Sequence, residues 1–265
     1  MPNQTSDGKP KVLVTGASGL IGGLTIRNLA DKYTFSALNR SRVEHIPCLQ
    51  ADINDAEAIK PAFQGVDMVL HLSAETKALS NWSKIYSTTM AGTVNVFEAA
   101  QAAGVKRIVF GSTGGTMCGY EYDHSLPYGR LAAGKYEEVG STWPLLKHTD
   151  PPRPDAPYSI GKLFGEVTGR WFSDTYGISV LCIRLGAVLD TNRPKLLRHF
   201  PGFLAHEDCV QMIDKCLSAP MSLKFDIFDA ISENKYRWRD TSHAKEILGW
   251  QPTGTADIYD PDNYR

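Results

Sequence analysis

The sequence predicts an α/β protein built on a doubly wound, parallel β-sheet. Short apolar runs rich in β-branched residues recur along residues 12–110, and segments with helical character separate them. Alternation of this kind is typical of right-handed βαβ units, whose helices cover both faces of a parallel sheet. At 265 residues, the chain is long enough for one such domain with a small appendage.

The first strand is predicted at residues 12–14, and a glycine-rich turn follows it at Gly16, Gly19 and Gly22. In a dinucleotide-binding unit, the first glycine permits the tight turn, the second lets a pyrophosphate approach the backbone, and the third packs the helix on the strand. The helix N-terminus then offers unpaired N–H groups to the phosphates. A glycine triplet alone is weak evidence, but its position between a strand and a helix predicts dinucleotide binding.

The second strand is predicted at residues 35–38 and leads into Asn39, Arg40 and Arg42. A carboxylate here would bind the ribose 2′-hydroxyl of NAD, whereas a nearby arginine accommodates the 2′-phosphate of NADP. No carboxylate stands at this strand end, so NADP is favoured over NAD. The alternative is that both arginines are merely solvated, because a neutral Asn39 is compatible with NAD.

Three more strands are predicted at residues 46–50, 66–72 and 107–110. Asp52 follows the first of them and either binds the adenine amino group or caps the next helix. Ligands of such sheets lie at the carboxyl ends of the strands. Gly16, Ser73, Ser112 and Thr113 should therefore line one crevice. The residues expected to contact the dinucleotide are Gly16, Ser18, Gly19, Leu20, Ile21, Gly22, Asn39, Arg40, Asp52, Ile53, Leu72, Ser73, Ala74, Tyr158 and Lys162.

Tyr158 and Lys162 stand four residues apart in YSIGK, where a proline-rich loop gives way to a helix. Residues at i and i+4 are neighbours on one helix face, so the ammonium is expected to lower the pKa of the phenol. Such a phenol can act as a general acid or base near neutral pH. Ser112 and Thr113 follow the fifth strand, and their hydroxyls either bind the reacting oxygen or only form a turn.

The order of TGASGLIG, the hydroxyl pair and YSIGK resembles the extended short-chain dehydrogenase/reductase family, which is also called the NAD-dependent epimerase/dehydratase family, over about residues 11–250. The resemblance implies a Rossmann fold and hydride transfer with NAD or NADP. By this likeness Tyr158 is the acid/base, and Lys162 lowers its pKa and holds the nicotinamide ribose. Ser112 or Thr113 then orients the reacting oxygen.

The C-terminal third is most similar to uronate dehydrogenases and related sugar dehydrogenases, through RLG at 184–186, RHF at 198–200 and LGWQP at 248–252. In those relatives an arginine ahead of a His-acid-acid stretch binds the sugar carboxylate, and Arg198 stands at that position here. An arginine fork can hold a carboxylate through two parallel hydrogen bonds. The residues expected at the substrate are Ser73, Thr113, Gly114, Tyr158 and Arg198.

The resemblance divides a single domain, 1–265, into a mainly dinucleotide-binding core at 10–186 and a small, mainly substrate-binding region at 187–255. Three stretches depart from the family pattern. The run after the fifth strand is one residue longer, which leaves Ser112 or Thr113 as the catalytic hydroxyl and favours Thr113. The segment 120–157 is longer than expected and is interpreted as a flap over the active site. Thr89 and Met90 stand where an asparagine is common.

These features predict an oxidoreductase that transfers hydride between NAD(P) and a hydroxyl of a sugar or sugar acid. The alternative is an NAD-retaining sugar-nucleotide epimerase, although such enzymes usually carry a longer C-terminal lobe. A 4,6-dehydratase is disfavoured because Gly114 and Gly115 replace its acidic pair. A non-catalytic NAD(P)-sensing regulator would need no Tyr–Lys pair.

Composition excludes other classes. The formal net charge is −1 and the pI is about 6.7, so neither nucleic acid nor an anionic membrane is indicated as a partner. Five scattered cysteines without a CxxC pair, and histidines without zinc-ligand spacing, indicate neither a disulfide framework nor a metal site. The polar N-terminus has no apolar leader, which predicts a cytoplasmic protein. Long helices with apolar residues on more than one face suggest a homodimer.

Overall fold

Seven parallel strands form one sheet in the computed structural model, which describes residues 8–77 and 79–264. The strands are β1 Lys11–Thr15, β2 Thr34–Asn39, β3 Cys48–Gln50, β4 Met68–His71, β5 Arg107–Thr113, β6 Ser179–Leu185 and β7 Phe225–Ala230. Their order across the sheet is β3-β2-β1-β4-β5-β6-β7. The predicted fold class, a doubly wound Rossmann sheet, is confirmed. The polar segment 1–7, on which the prediction of no leader rested, lies outside the described residues.

The strand order reverses at β1, which pairs with β2 on one side and with β4 on the other. In open α/β sheets a crevice forms outside the carboxyl ends of the strands at such a point. The Thr15 hydroxyl, at the end of β1, shares a 2.7 Å hydrogen bond with His71 Nδ1, at the end of β4. It also accepts hydrogen bonds from the backbone N–H groups of Leu72 and Ser73. The two strand ends that flank the crevice are thereby fixed to each other.

Helices cover both faces of the sheet. Within the described residues they are α1 Leu20–Leu29, α2 Ala56–Ile59, α3 Trp82–Lys84, α4 Gly92–Ala102, α5 Pro127–Ala132, α6 Pro157–Tyr176, α7 His199–Gly202, α8 His206–Ser218 and α9 Ser242–Leu248. A π-helical stretch, Ile85–Ala91, joins α3 to α4. Alternate residues of β1 face opposite sides, so Val12 and Val14 pack with α1 and α8, whereas Leu13 packs with α4 and α6.

Asp52 was predicted either to bind the adenine amino group or to cap the helix that follows it, and the second alternative is wrong. The N-cap of α2 is Asp55, whose carboxylate accepts a hydrogen bond from Ala58 N at 3.0 Å. Asp52 instead accepts from Asn54 N in the turn before it. Asp52 therefore does not cap α2, and its role toward adenine stays a prediction.

Arg107, at the start of β5, is fully buried and ties the sheet to the end of α8. Its guanidinium donates hydrogen bonds to four backbone carbonyls, those of Cys216, Leu217, Ala219 and Pro220, at 2.6–3.1 Å. Helix C-termini leave carbonyl oxygens without helical partners, and a cation satisfies them well. This buried arginine thus closes the C-terminal end of α8.

Helix α6 lies unusually close to its neighbours because three glycines, four residues apart, form one of its faces. A Cβ at Gly161 would come within 2.9 Å of Ile85, one at Gly165 within 2.3 Å of the Phe110 ring, and one at Gly169 within 2.7 Å of Val180. Only residues without side chains permit this approach. The helix that begins with YSIGK is therefore seated directly against β5, β6 and the π-helical stretch.

The first half of the segment 120–157, as far as Glu138, forms short helical turns, whereas residues 140–156 are irregular apart from an isolated bridge at Leu146. Its apolar side chains pack with Met117 and Trp238 into a separate small core, which includes Tyr128, Leu131, Val139 and Leu146. Its function as a flap stays a prediction. Among residues 8–77 and 79–264, no helix is long and apolar enough to cross a membrane.

Candidate active site

A crevice of about 470 Å³ lies at the carboxyl ends of β1, β2 and β4. Most of the residues predicted to contact a dinucleotide line it, while Leu20, Ile21 and Gly22 lie in the first turn of α1 beside it. The predicted residues on its walls are Gly16, Ser18, Gly19, Asn39, Arg40, Asp52, Ile53, Leu72, Ser73 and Ala74.

The glycine turn gives this crevice a bare backbone floor. Gly16 has a φ of +73°, and a Cβ there would come within 2.9 Å of Ser73 N. Gly19 is the N-cap of α1, so the N–H groups of the first turn open toward the crevice without helical acceptors. A Cβ at Gly22 would lie 2.8 Å from the Ala17 Cα. The turn therefore fits a pyrophosphate in the way that the glycine spacing predicted.

At the end of β2, Asn39 is held by its own neighbours. Its amide donates to the Ser41 carbonyl at 2.8 Å and to the Ser18 hydroxyl at 3.1 Å. Arg40 is exposed on the crevice wall, whereas Arg42 is paired with Glu44 outside it. Of the two arginines noted in the sequence, only Arg40 reaches the crevice.

A second cavity, of about 600 Å³, adjoins the first, and Thr76 lines both. Its walls combine the end of β5, the start of α6 and the C-terminal region. Thr113, Gly114, Tyr158 and Arg198 line it, as predicted for substrate contacts, while the fifth predicted residue, Ser73, lies on the adjoining crevice. The structure thus places the predicted tyrosine and threonine on the walls of the same cavity.

Burial controls the charge of the Tyr–Lys pair. Burial raises the pKa of Tyr158 to about 12, and it lowers the pKa of Lys162, which is 1% exposed, to about 7. The ammonium lies 4.7 Å from the Phe110 ring centroid and 6.0 Å from that of Tyr158. The prediction that Lys162 lowers the pKa of the phenol is thus wrong for the protein alone, because desolvation moves both groups toward their neutral forms.

The Lys162 ammonium has no hydrogen-bond acceptor among the described residues. An ammonium normally makes up to three such bonds, and burying it without them is costly. A partner that brings hydroxyl acceptors to this position would relieve that cost. The buried lysine therefore fits the expected ribose of a dinucleotide.

The two candidate hydroxyls on β5 point to opposite faces of the sheet, as neighbours on a strand do. The Ser112 side chain is buried and its hydroxyl donates to Glu166 Oε1 at 2.6 Å. Glu166 is also held by the buried Arg184 at 2.8 Å. Ser112 therefore does not line the predicted crevice, which is a correction. Thr113 faces the second cavity, and its Oγ1 accepts from Gly115 N at 3.1 Å, which leaves its own proton free to be donated.

Gly114 and Gly115 have no room for side chains. A Cβ at Gly114 would lie 2.3 Å from the Arg239 guanidinium, and one at Gly115 would lie 2.3 Å from the Ser159 hydroxyl. Side chains at these two positions would therefore require Arg239 and Ser159 to move.

Arg198 lies on the cavity wall, but its fork already has partners. Its Nε and Nη2 donate to Glu121 Oε2 at 3.2 and 2.9 Å, and Nη2 also approaches Asp155 Oδ2 at 3.4 Å. Burial raises the pKa of Glu121, while Arg198 acts in the opposite direction. Sequence reasoning missed both acids, although both stand in the long segment 120–157 that it singled out.

Arg239 was also missed. It is buried behind Gly114 and donates to Asp229 at 2.9 Å, while its Nε and Asp229 Oδ2 have no hydrogen-bond partner. Trp238, which packs in the small core with Met117, lines the same cavity next to it. The glycine pair was the one available signal, because two adjacent glycines after a strand indicate a close approach by other atoms.

Three residues far apart in the sequence, His148, Asp226 and His243, meet outside the two cavities. Their potential ligand atoms lie within 4.8 Å of one another. His243 Nε2 lies 2.9 and 3.0 Å from the two Asp226 oxygens, and the imidazole rings are stacked at 4.0 Å with 18° between their planes. The lone pair of an imidazole nitrogen lies in the ring plane, so nearly parallel stacked rings do not aim at one point. The cluster is a hydrogen-bonded His243–Asp226 pair with the His148 ring stacked on it.

Known proteins resemble most of the chain. Residues 12–246 match the NAD dependent epimerase/dehydratase family. L-arabinose 1-dehydrogenase (NAD(P)(+)) of Haloferax volcanii is 31% identical over 251 residues, which are 91% of this chain and 96% of that protein. Uronate dehydrogenase of Agrobacterium fabrum is 29% identical over 254 residues, or 94% of this chain and 86% of that protein.

The structural comparison agrees. A mutant uronate dehydrogenase from Agrobacterium tumefaciens, crystallised in complex with NAD, has a TM-score of 0.77 to this structure at 26% sequence identity, and the match covers 95% of this chain and 87% of that one. The glycine turn, the Tyr158–Lys162 pair and Thr113 thus occur within a match that spans nearly all of the chain, and the protein belongs to the NAD dependent epimerase/dehydratase family.

Proposed function

We propose that the protein is an NAD(P)-dependent dehydrogenase that oxidises a hydroxyl of a sugar or sugar acid. The observation that carries this proposal is the meeting of Tyr158 and Thr113 in one cavity that adjoins the dinucleotide crevice. Relatives that span nearly the same length are named as dehydrogenases of arabinose and of uronates. Both lines of support point to hydride transfer at a carbon that bears a hydroxyl group.

In the proposed reaction, a bound NAD(P)⁺ supplies the hydride acceptor at its nicotinamide ring. Tyr158 Oη takes the proton of the sugar hydroxyl in the oxidising direction and returns it in the reverse direction. The Thr113 hydroxyl donates a hydrogen bond to the oxygen whose charge develops, and the Gly115 N–H fixes its orientation. Lys162 holds the ribose of the nicotinamide nucleotide and, once hydrogen-bonded there, remains charged beside the phenol.

The experiment that tests this proposal is a panel of aldoses and uronates with NAD⁺ and NADP⁺, followed at the nicotinamide absorbance. Tyr158→Phe should lower kcat by roughly 10²–10⁴-fold and leave cofactor affinity unchanged, as expected for the loss of a general acid/base. Tyr176→Phe, at the other end of α6, is the matched control and should retain full activity. Full turnover by Tyr158→Phe would contradict the assignment.

A second experiment distinguishes the roles of the Ser112 and Thr113 hydroxyls on β5. Thr113→Ala should lower kcat because the developing oxyanion loses a donor, with little effect on stability. Ser112→Ala should instead lower stability by about 1–3 kcal/mol, because Glu166 loses a buried partner. If Ser112→Ala lowered kcat more than Thr113→Ala under conditions in which both variants are fully folded, Ser112 would be the catalytic hydroxyl.

For the cofactor, we propose a preference for NADP. Arg40 is exposed on the crevice wall and directly follows Asn39, the last residue of β2. An arginine beside the second strand suits a 2′-phosphate. The release of free NAD(P)H into solution would also distinguish a dehydrogenase from an epimerase, which retains its cofactor.

We further propose that the region 120–157 covers the substrate, since its acids Glu121 and Asp155 line the second cavity. The dinucleotide would be bound mainly by residues 10–186, and residues 187–255 would contribute Arg198 and Arg239 to the substrate side. Slower hydrogen exchange across 120–157 in the presence of cofactor and substrate is the expected result. Unchanged exchange there would refute the flap.

A homodimer is proposed from the outer face of α6. Ile160, Phe164, Val167 and Trp171 form one exposed apolar stripe at helical spacing, and Trp82 and Tyr86 also present exposed aromatic surface. Val167, which is 66% exposed, is the natural probe: Val167→Glu should convert a dimer to a monomer in light scattering. Ile258→Glu, at an apolar residue outside the stripe that is 75% exposed, should leave the mass unchanged.

A further inference from the structure

We propose that Glu121, through its pairing with Arg198, makes the substrate cavity selective for neutral sugars and excludes uronates. This inference rests on the proposed dehydrogenase function and narrows its substrate class. It revises the expectation that Arg198 binds a substrate carboxylate.

The first argument is the occupancy of the arginine fork. Arg198 Nε and Nη2 both donate to one oxygen of Glu121, and the same Nη2 lies 3.4 Å from Asp155. A carboxylate ligand that binds an arginine in bidentate fashion uses two parallel donors from one edge of the guanidinium. Glu121 already occupies the edge formed by Nε and Nη2, so a uronate that binds this edge would have to displace Glu121.

The second argument is the cost of that displacement. Glu121 is 9% exposed, and it has few ways to reach water. If a substrate took Arg198 from it, Glu121 would become a buried acid without its cation. The Arg198 side chain is 45% exposed, so the cost arises mainly from leaving the buried Glu121 carboxylate without its hydrogen-bond donor.

The third argument is the charge balance of the cavity wall. Arg198 and Arg239 are its arginines, and Glu121 and Asp155 are its acids. Arg239 is itself paired with the buried Asp229 directly behind the wall. Burial, together with Arg198, also lowers the pKa of the remaining candidate cation, His199. A substrate carboxylate would therefore enter a wall with more acids than available cations, which raises the cost of its binding.

Neutral sugars can form hydrogen bonds with the same cavity wall. Their hydroxyl groups are hydrogen-bond donors, and carboxylates accept hydrogen bonds from hydroxyls well. Asp155 already accepts from the Ser159 hydroxyl at 2.6 Å in this cavity. Arg198 then acts as the positioning residue that holds two acceptors in place.

The test uses substrate pairs that differ only at C6, namely galactose against galacturonate and glucose against glucuronate. The wild-type protein should favour the neutral member by at least about 100-fold in kcat/KM, the size of a like-charge contact in a partly buried site. Equal or better use of the uronates would overturn the inference. If no sugar of either kind reduces NAD⁺ or NADP⁺, the proposed function itself fails, so the two failures are distinguishable.

Substitutions of Glu121 and Arg198 test whether these two residues cause the preference for neutral sugars. Glu121→Gln should reduce the preference at least tenfold by raising kcat/KM for uronates, because the Arg198 fork loses its anionic partner. Glu137→Gln makes the same change at an exposed glutamate of the same segment and should alter nothing. Arg198→Met gives an independent reading that does not depend on the folding of the Glu121 variant. Our inference expects similar losses for both members of a pair, whereas a selective loss of uronate activity would show that Arg198 binds the substrate carboxylate.

Discussion

Replacing Lys162 by methionine should stabilise the protein while abolishing its activity. The ammonium is buried beside the Phe110 ring, and burial lowers its pKa to about 7 from 10.5. Each tenfold change in proton affinity corresponds to about 1.4 kcal/mol, so the ionised side chain costs at most about 5 kcal/mol. Methionine fills a similar volume without a charge to desolvate.

The stability difference should depend on pH in a defined direction. Below pH 7 the lysine is protonated in both the folded and the unfolded chain, so the cost of burial is fully present. Between about pH 7 and 10.5 the unfolded chain binds one more proton than the folded chain, and wild-type stability therefore rises with pH relative to the variant. The advantage of Lys162→Met should thus shrink by about 2 kcal/mol between pH 7 and pH 9.

Urea unfolding followed by tryptophan fluorescence at pH 7, 8 and 9 measures this difference, provided that the m-values agree. Lys147→Met, at an exposed lysine, is the control and should show no such trend. A stability difference that stays constant from pH 7 to pH 9, or a variant less stable than wild type at pH 7, would refute the assignment of a costly buried ammonium.

Three further outcomes are expected. Arg107→Met should destabilise the protein by about 3–5 kcal/mol in urea unfolding, because four backbone carbonyls, three of them buried, lose their charged donor. Arg170→Met, at an exposed ion pair, should cost less than about 1 kcal/mol. Arg40→Ala should raise KM for NADP⁺ at least tenfold and leave KM for NAD⁺ nearly unchanged, whereas the control Arg42→Ala should change neither KM. Equal effects of Arg40→Ala on both cofactors would show that Arg40 does not bind the 2′-phosphate. Because burial raises the pKa of Tyr158 and the phenolate accepts the proton, kcat/KM for sugar oxidation at saturating cofactor should rise with pH above neutrality; a flat profile from pH 7 to pH 9 would contradict Tyr158 as the base.

The features that could be predicted from sequence are those encoded by local spacing. The glycine turn after β1 and the start of a helix at YSIGK depend on neighbours in the chain, and both were predicted correctly. The orientation of Ser112 toward Glu166 could not be predicted, since it depends on which face of β5 each hydroxyl occupies. The pairing of Arg198 with Glu121 joins residues 77 positions apart. The pKa of the Tyr–Lys pair is set by burial, which the spacing of two residues does not reveal.

The glycine face of α6 has a consequence for how the active protein comes into being. Each glycine in a helix interior costs about 1 kcal/mol relative to alanine, so three of them remove about 3 kcal/mol of intrinsic helical preference. A peptide spanning residues 157–176 should therefore be largely unstructured by circular dichroism. Tyr158 and Lys162 would then reach their positions only when β5 and β6 have assembled to receive the helix, and recovery of turnover during refolding should lag behind formation of the sheet.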